Sequence, residues 1–505
     1  MLYHSVARLL FIRICILLLQ YAPAFEVTLL VLSAALHLPS FCSIALVSLL
    51  LAETSFAIFI YAPHRARLHQ LAKHPPPLTR KERAELFQKC IANIPQWDRY
   101  LQLWFLGADL NDIRRENVRD FILWGFFDRD GEAETDADQN ELEDFLDQTE
   151  MSLGRRLPAG RGSAIPLRLT IDAVPIRYHS VIWYAIVGIV DMFTHQMLRF
   201  RRFAYHHPPL TLIKKFTHSF PPTAALRAPH RLSPSSIAYW YRPHRSTKHL
   251  PVVFLHGIGI GLFPYLPFLS ALSEIDNGQI GILALELPPI SARLTSPPLS
   301  RPEFLSELTA ILAAHPEWDR FVLISHSYGS VLTTHILRSE LGNRVDAVIL
   351  VDPVTLLLHL PDVAYNFTRR QPTRANEWQL WYFATMDVGV AGVLGRYFFW
   401  RENIIWREEL MGGDRRRKAA VCLAGRDLIA DTKTVARYLS TEGDFADVSD
   451  EDVFDVAKDQ DFTGPTGVQM LWFAELDHSQ VFEQKQHWSR IVDVVRRYST
   501  REASS

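Results

Sequence analysis

The sequence predicts an α/β fold in its second half: a mostly parallel sheet flanked by helices. Three observations predict it. Apolar runs of strand length, broken by charge only at Asp346 and Glu475, recur at 250–255, 321–324, 345–351, 419–424 and 470–476, and runs this short suit strands covered on both faces. The run at 321–324 passes straight through Ser325-His326-Ser327-Tyr328-Gly329 into the helix-like stretch 330–338. Small residues two positions either side of Ser327 suit a sharp strand-to-helix turn that holds its apex in strained backbone. The third is an amphipathic stretch over 481–498, which predicts a terminal helix packed on the sheet.

In chain order, residues 1–62 come first and read as a membrane anchor. From Leu9 to Ala62 the chain is almost continuously apolar, broken by Arg13, Pro23, Glu26, His37, Pro39 and Glu53. That is too long for one crossing of about 20 residues. Two transmembrane helices joined near Leu38-Pro39-Ser40 are expected, over 14–36 and 43–61. His64, Arg65, Arg67 and Lys73 then form a basic flank, which predicts a catalytic portion on the cytoplasmic side. Cleavage after Ala22-Pro23-Ala24 is the alternative; Arg13 inside the run and the apolar residues beyond it favour a retained anchor.

Residues 63–235 read as a helical linker region. Pro75-Pro76-Pro77 is a stiff break, and Thr79 with Glu82 forms a capping box opening a helix to about Ile94. Leu101, Trp104, Phe105, Phe121, Trp124 and Phe127 recur at helical spacing and predict packing faces, with lipid headgroups as the alternative contact. The acidic stretch 128–150 reads as a solvated excursion. It is not an EF-hand loop, because Ala133 stands where Gly is needed and Gln139 where a bidentate Glu belongs. Residues 180–200 read as a core helix, since Asp191 and the short run argue against a span, with interfacial placement the alternative because of the basic end at Arg199, Arg201 and Arg202.

The domain expected over 236–500 carries the chemistry. The strand at 250–255 ends in His256-Gly257-Ile258-Gly259-Ile260-Gly261, whose glycines let backbone N–H groups face inward. The spacing is not G-x-G-x-x-G, and no Walker Lys follows. The strand at 419–424 ends in Gly425-Arg426-Asp427, which places a carboxylate in a tight loop. Asp352, at the end of 345–351, is the alternative acid. His478 follows the strand at 470–476 and is the candidate base; His326 beside Ser327 projects to another side of the backbone and reads as packing. Residues 355–417 are too long for a connection and rich in aromatics, which predicts a helical cap over an apolar substrate site. Asn366-Phe367-Thr368 matches a glycosylation sequon, a short motif that is commonly unused.

HGIGIG, SHSYG, GRDLI and DHSQVF, in that order, resemble the α/β-hydrolase superfamily over roughly half of the chain. The resemblance implies a serine esterase or lipase-like enzyme without cofactor or metal: Ser327 as nucleophile, Asp427 and His478 completing the triad, and the N–H groups of Ile258 and Tyr328 as oxyanion hole. Ser325 departs from the usual glycine of the elbow. An Asp at the apex would imply epoxide or carbon-halogen cleavage, and Ser327 argues against it.

Across 505 residues the formal net charge is −2 and 48% of residues are apolar. This supplies a core for more than one unit and no basic face for nucleic acid. Four cysteines, widely separated, do not suggest a disulfide framework. The expected function is a membrane-anchored hydrolase acting on a hydrophobic ester, with membrane lipid as its other partner. An acyltransferase using the same acyl-enzyme and a catalytically silent scaffold are the alternatives.

Overall fold

Side chains buried on both faces of a sheet produce unbroken apolar runs, and the central sheet is built from such runs. The computed structural model describes residues 5–37, 39–211, 214, 219–227, 231–413, 417–441 and 457–501. Its strands are β1 (Ala204–His207), β2 (Ser219–Phe220), β3 (Arg231–Leu232), β4 (Tyr239–Arg242), β5 (Val252–Leu255), β6 (Ile282–Leu285), β7 (Leu294–Thr295), β8 (Phe321–His326), β9 (Val345–Val351), β10 (Lys418–Ala424), β11 (Gln460–Thr463) and β12 (Gln469–Phe473). Ten of them form one sheet in the order β11-β12-β10-β9-β8-β5-β6-β4-β1-β3; β2 and β7 pair separately. From β12 to β6 every pair is parallel, whereas β4 runs antiparallel to β6 and to β1.

Alternation along the strands sorts two cores. Val253, Leu255 and Leu323 face Phe304 and Leu308, while Val252, Phe254 and Ile324 face Phe268 and the terminal helix Lys485–Ser499 through Ile491 and Val495. The cap region over 355–417 supplies the helices Pro361–Thr368, Ala375–Leu380, Val388–Arg396, Trp400–Asn403 and Arg407–Met411.

The N-terminal third folds onto this body. Its helices are α1 (Val6–Gln20), α2 (Ala22–Ala35), α3 (Ser40–Phe56, continued by a π turn over Ala57–Tyr61), α4 (Ala62–Arg67), α5 (Arg80–Ile91), α6 (Trp97–Trp104), α7 (Arg115–Phe127), α8 (Asp136–Leu153) and α9 (Val181–Phe200). The capping box opens α5 as expected: Thr79 N–H donates to Glu82 Oε2 at 2.8 Å and Glu82 N–H donates to Thr79 Oγ1 at 3.3 Å.

Four expectations are corrected. The domain boundary at 236 falls inside the sheet, because β1 and β3 come from before it. The acidic stretch 128–150 is mostly α8, since Leu142, Phe145, Leu146 and Thr149 share one helical face and bury it, with Phe145 stacked on Phe87 at 4.0 Å. The first anchor helix is broken: α1 and α2 bend by 70° at Tyr21, just before Pro23. Finally, α9 is long and apolar enough to cross a membrane by length and composition, as is Ser40–Arg67, against the reading of its run as too short; one face packs on the body and Ile186, Ile189 and Phe193 stay exposed on the other.

Asp191 explains the last point. Its carboxylate lies buried in α9 and accepts from Arg293 Nε at 2.7 Å, while Arg227 Nη1 donates to Glu286 Oε1 at 2.8 Å and links the two pairs. Burial would raise the Glu286 carboxyl, but the Arg227 and Arg293 guanidiniums and the Trp240 indole N–H hold it well below the usual carboxylate range.

Candidate active site

Chain direction through the sheet reverses between β5 and β8. β5 leads to β6 on one side, and the chain then crosses back to β8 and continues through β9 and β10 to β12 on the other. The loops leaving β5 and β8 therefore diverge and open a crevice at the strands' carboxyl ends. The glycine loop lies on one side of it and Ser327 on the other.

Ser327 sits at φ 50° in the left-handed region, the strained apex the pentapeptide predicts. The crowding around it is severe. A Cβ on Gly329 would lie 2.5 Å from the Leu255 carbonyl oxygen, and one on Gly257 would lie 2.8 Å from Ser327 Cβ. Ser325 is accommodated because its hydroxyl accepts from Thr333 Oγ1 at 2.8 Å inside the core. Counting only β1, β4, β5, β6, β8, β9, β10 and β12 in chain order, the sheet reads 1-2-4-3-5-6-7-8 with the second strand antiparallel, and the serine turn follows the fifth.

The chain has the α/β-hydrolase fold.

In this α/β-hydrolase fold the residues expected from sequence converge. His478 Nε2 lies 2.9 Å from Ser327 Oγ and His478 Nδ1 lies 2.7 Å from Asp427 Oδ2, all three side chains being buried. Asp427 Oδ1 accepts the N–H groups of Ile429 at 2.7 Å and Ala430 at 3.0 Å, so the loop after β10 aims the other oxygen at the imidazole. Asp352 is placed differently. Its oxygens accept from the N–H groups of Ala424 and Ser479, tying the end of β10 to the His478 loop. Asp477 braces the same loop by accepting from the N–H groups of His478 and Leu428.

Burial would strip the proton from the His478 imidazole, but the charge and hydrogen bond of Asp427, with Asp352 and Asp477 nearby, outweigh it and hold its pKa above the ordinary value. Burial raises Asp352 above the usual carboxylate range. Asp352, Asp427 and His478 bring ligand atoms within 4.8 Å of one another, the arrangement among the described residues that could hold a metal. Backbone N–H groups and the Ser327 hydroxyl already use those atoms.

On the opposite wall, Gly259 N–H donates to the Ile290 carbonyl at 3.0 Å and fixes the glycine loop. Ile258 and Tyr328 line the same cavity as Ser327. His326 is fully buried against Tyr265, whose hydroxyl lies 2.7 Å from its Nδ1, as its reading as a packing residue expects.

The cavity beside Ser327 encloses about 790 Å³ between atoms, part of it continuous with solvent. Phe367, Phe398 and Trp400 line it from the cap, which sequence reasoning anticipates. Trp104, Trp124 and Leu169 line it from the N-terminal region, which sequence reasoning missed. The aromatic stripes there signal burial without saying what they face. Trp124 Nε1 donates to Thr170 Oγ1, another lining residue, at 3.0 Å, so its polar atom is satisfied within the wall.

No family model matches the sequence, and no curated protein matches it. Solved structures similar to it include a carboxylesterase of Nitrososphaera gargenis (13% identity, 52% of this chain, 96% of that one, TM-score 0.34). Naproxen esterase from Bacillus subtilis is another (16%, 52%, 87%, TM-score 0.32), as is a membrane phospholipase A described as a bacterial virulence factor (14%, 63%, 94%, TM-score 0.36).

Proposed function

We propose that this α/β-hydrolase is a membrane-associated serine hydrolase that cleaves a hydrophobic carboxylic ester through an acyl-enzyme. The observation that carries the reading is the hydrogen-bonded chain Ser327–His478–Asp427 opening onto a cavity walled by aromatic and aliphatic side chains. An apolar pocket selects an apolar acyl or alcohol portion by burial, at about 25 cal/mol per Å² of apolar surface removed from water.

In the proposed reaction Ser327 Oγ attacks the ester carbonyl carbon while its proton passes to His478 Nε2. The carbonyl π electrons move to oxygen, and the N–H groups of Ile258 and Tyr328 stabilise that oxyanion. Asp427 holds the Nδ1–H tautomer and balances the imidazolium. Collapse expels the alcohol, which takes the proton from Nε2 and leaves the acyl group on Ser327. Water then attacks with the same base, the carboxylic acid departs, and Ser327 regains its proton. Asp352 and Asp477 act through the loop that carries His478.

Activity profiling across acyl esters of graded length tests the reading, together with labelling by a serine-directed fluorophosphonate. The wild-type chain is expected to label and to favour longer acyl chains; Ser327→Ala is expected to do neither. A folded wild-type chain that stays unlabelled beside a reactive control would overturn it. Helices long and apolar enough to cross a bilayer support the membrane association, and the basic flank at His64, Arg65, Arg67 and Lys73 supports a body on the cytoplasmic side.

A further inference from the structure

The apolar helices α2 and α3 pack together as a hairpin, joined across its upper part by Ser33 Oγ and Ser43 Oγ at 2.9 Å. Its base is fastened to the catalytic body. Glu53 Oε2 accepts the N–H of Val181 at 2.9 Å, and the Tyr178 hydroxyl donates to the same carboxylate. Phe56 packs against Tyr184 and Phe220, and the Tyr61 hydroxyl donates to the Arg177 carbonyl at 3.2 Å. From Glu53 onward α3 is therefore part of the folded body. On α2 Glu26 is buried as well and is the last charged residue before the hairpin turn.

What projects beyond that level is short. Residues 27–36 rise about 15 Å and residues 40–52 about 20 Å at 1.5 Å per residue, against a hydrocarbon core of about 30 Å. No Asp, Glu, Lys or Arg occurs between Val27 and Ala52. The turn carries the exposed His37 beside Leu36, Pro39 and Phe41, and Leu36 and Phe41 are among the most exposed apolar residues described. A loop emerging into water on a far side would be expected to carry charge.

α1 lies across the cap. Ile12 and Ile16 bury against Ala375 and Tyr382, and the Arg13 guanidinium sits 3.9 Å over the Trp378 ring. The other side of α1 exposes Leu10, Ile14, Leu17 and Leu18, a single helical stripe. α9 repeats the pattern: Asp191 binds it to the body, and Ile186, Ile189 and Phe193 remain exposed on its outer side.

We propose that the chain is monotopic: the α2–α3 hairpin enters one leaflet and returns, while the outer stripes of α1 and α9 lie against the same lipid. Neither helix of the expected pair then crosses the bilayer. The proposal rests on the membrane-associated reading above, and the test separates the two.

The full-length chain, with Cys15→Ser and Cys42→Ser, is placed in sealed membrane vesicles, and Ser40→Cys or Leu36→Cys reports the turn. Glu85→Cys, an exposed position, reports the catalytic body. A membrane-impermeant maleimide is applied from either side, then again after detergent. Monotopic insertion predicts that Glu85→Cys labels from one side and both turn reporters label only after detergent. Labelling of the turn from the side opposite Glu85→Cys overturns the proposal in favour of two spans. Labelling of the turn from the same side as Glu85→Cys overturns it by placing the hairpin in water. Release of the chain by alkaline carbonate overturns hairpin insertion, whereas failure of the chain to sediment with the vesicles before that treatment removes the membrane-associated reading itself.

Discussion

Replacing Asp427 by Asn changes one atom and should invert the histidine tautomer. The Asp427 side chain is fully buried, with Oδ1 accepting from two backbone N–H groups and Oδ2 facing His478 Nδ1 at 2.7 Å. An Asn can keep its oxygen on the backbone pair only by presenting its NH₂ to Nδ1. The opposite flip places NH₂ against two N–H donors and loses two bonds of about 1 kcal/mol each, before counting the unsatisfied buried groups at about 1–3 kcal/mol apiece. The first orientation therefore wins. Nδ1 must then accept, the ring proton moves to Nε2, and His478 cannot take the proton of Ser327. By analogy with the serine-protease triad, where this same substitution costs about 10⁴ in kcat, the expected loss is about four decades, or roughly 5.5 kcal/mol of barrier. Steady-state hydrolysis of a long-chain ester reads the effect, with thermal unfolding expected to be nearly unchanged. A variant that keeps kcat within tenfold of wild type would refute the assignment of Asp427.

Other predictions use neighbouring groups. Asp352→Asn removes a carboxylate that raises the His478 pKa; because His478 acts as a base only when neutral, the acid limb of the labelling-rate profile should move to lower pH, and a shift to higher pH would contradict the electrostatic account. Leu169→Trp should fill the cavity from the N-terminal side and lower kcat/KM for long acyl esters by about tenfold or more relative to short ones, given about 1–3 kcal/mol per methylene in an apolar pocket. Equal losses on both would show that this wall does not meet the substrate. Asp191→Ala leaves the Arg293 guanidinium buried without its closest partner, and should destabilise the fold by about 3–5 kcal/mol in chemical denaturation.

Much of the site is legible in the sequence because its chemistry sits at strand ends. Apolar runs locate the ends of β8, β10 and β12 to within about three residues, and Ser327, Asp427 and His478 lie one, three and five residues beyond those ends. The preference for Asp427 over Asp352 needs the third dimension, since both residues end a strand and only the loop geometry turns one of them toward the imidazole. The outer sheet is harder to read. β1 is four residues long with two histidines and β3 is two residues long, so neither shows a usable period. α8 is masked by its charge: the acidic residues dominate composition, while Leu142, Phe145 and Leu146 carry the burial. The aromatic stripes of α6 and α7 announce an interior surface, but periodicity cannot distinguish a neighbouring helix from a substrate cavity.

The seating of α1 on the cap has a practical side. Trimming the first 62 residues to obtain a detergent-free enzyme would strip Ile12, Ile16 and Phe56 from Tyr382, Tyr184 and Phe220, leaving aromatic surface facing water on both the lid and the main body. Such a fragment is expected to clump, and to lose the brace that steadies the roof over the nucleophile. On the proposed membrane-associated reading, purification is better served by retaining these 62 residues and supplying an amphiphile.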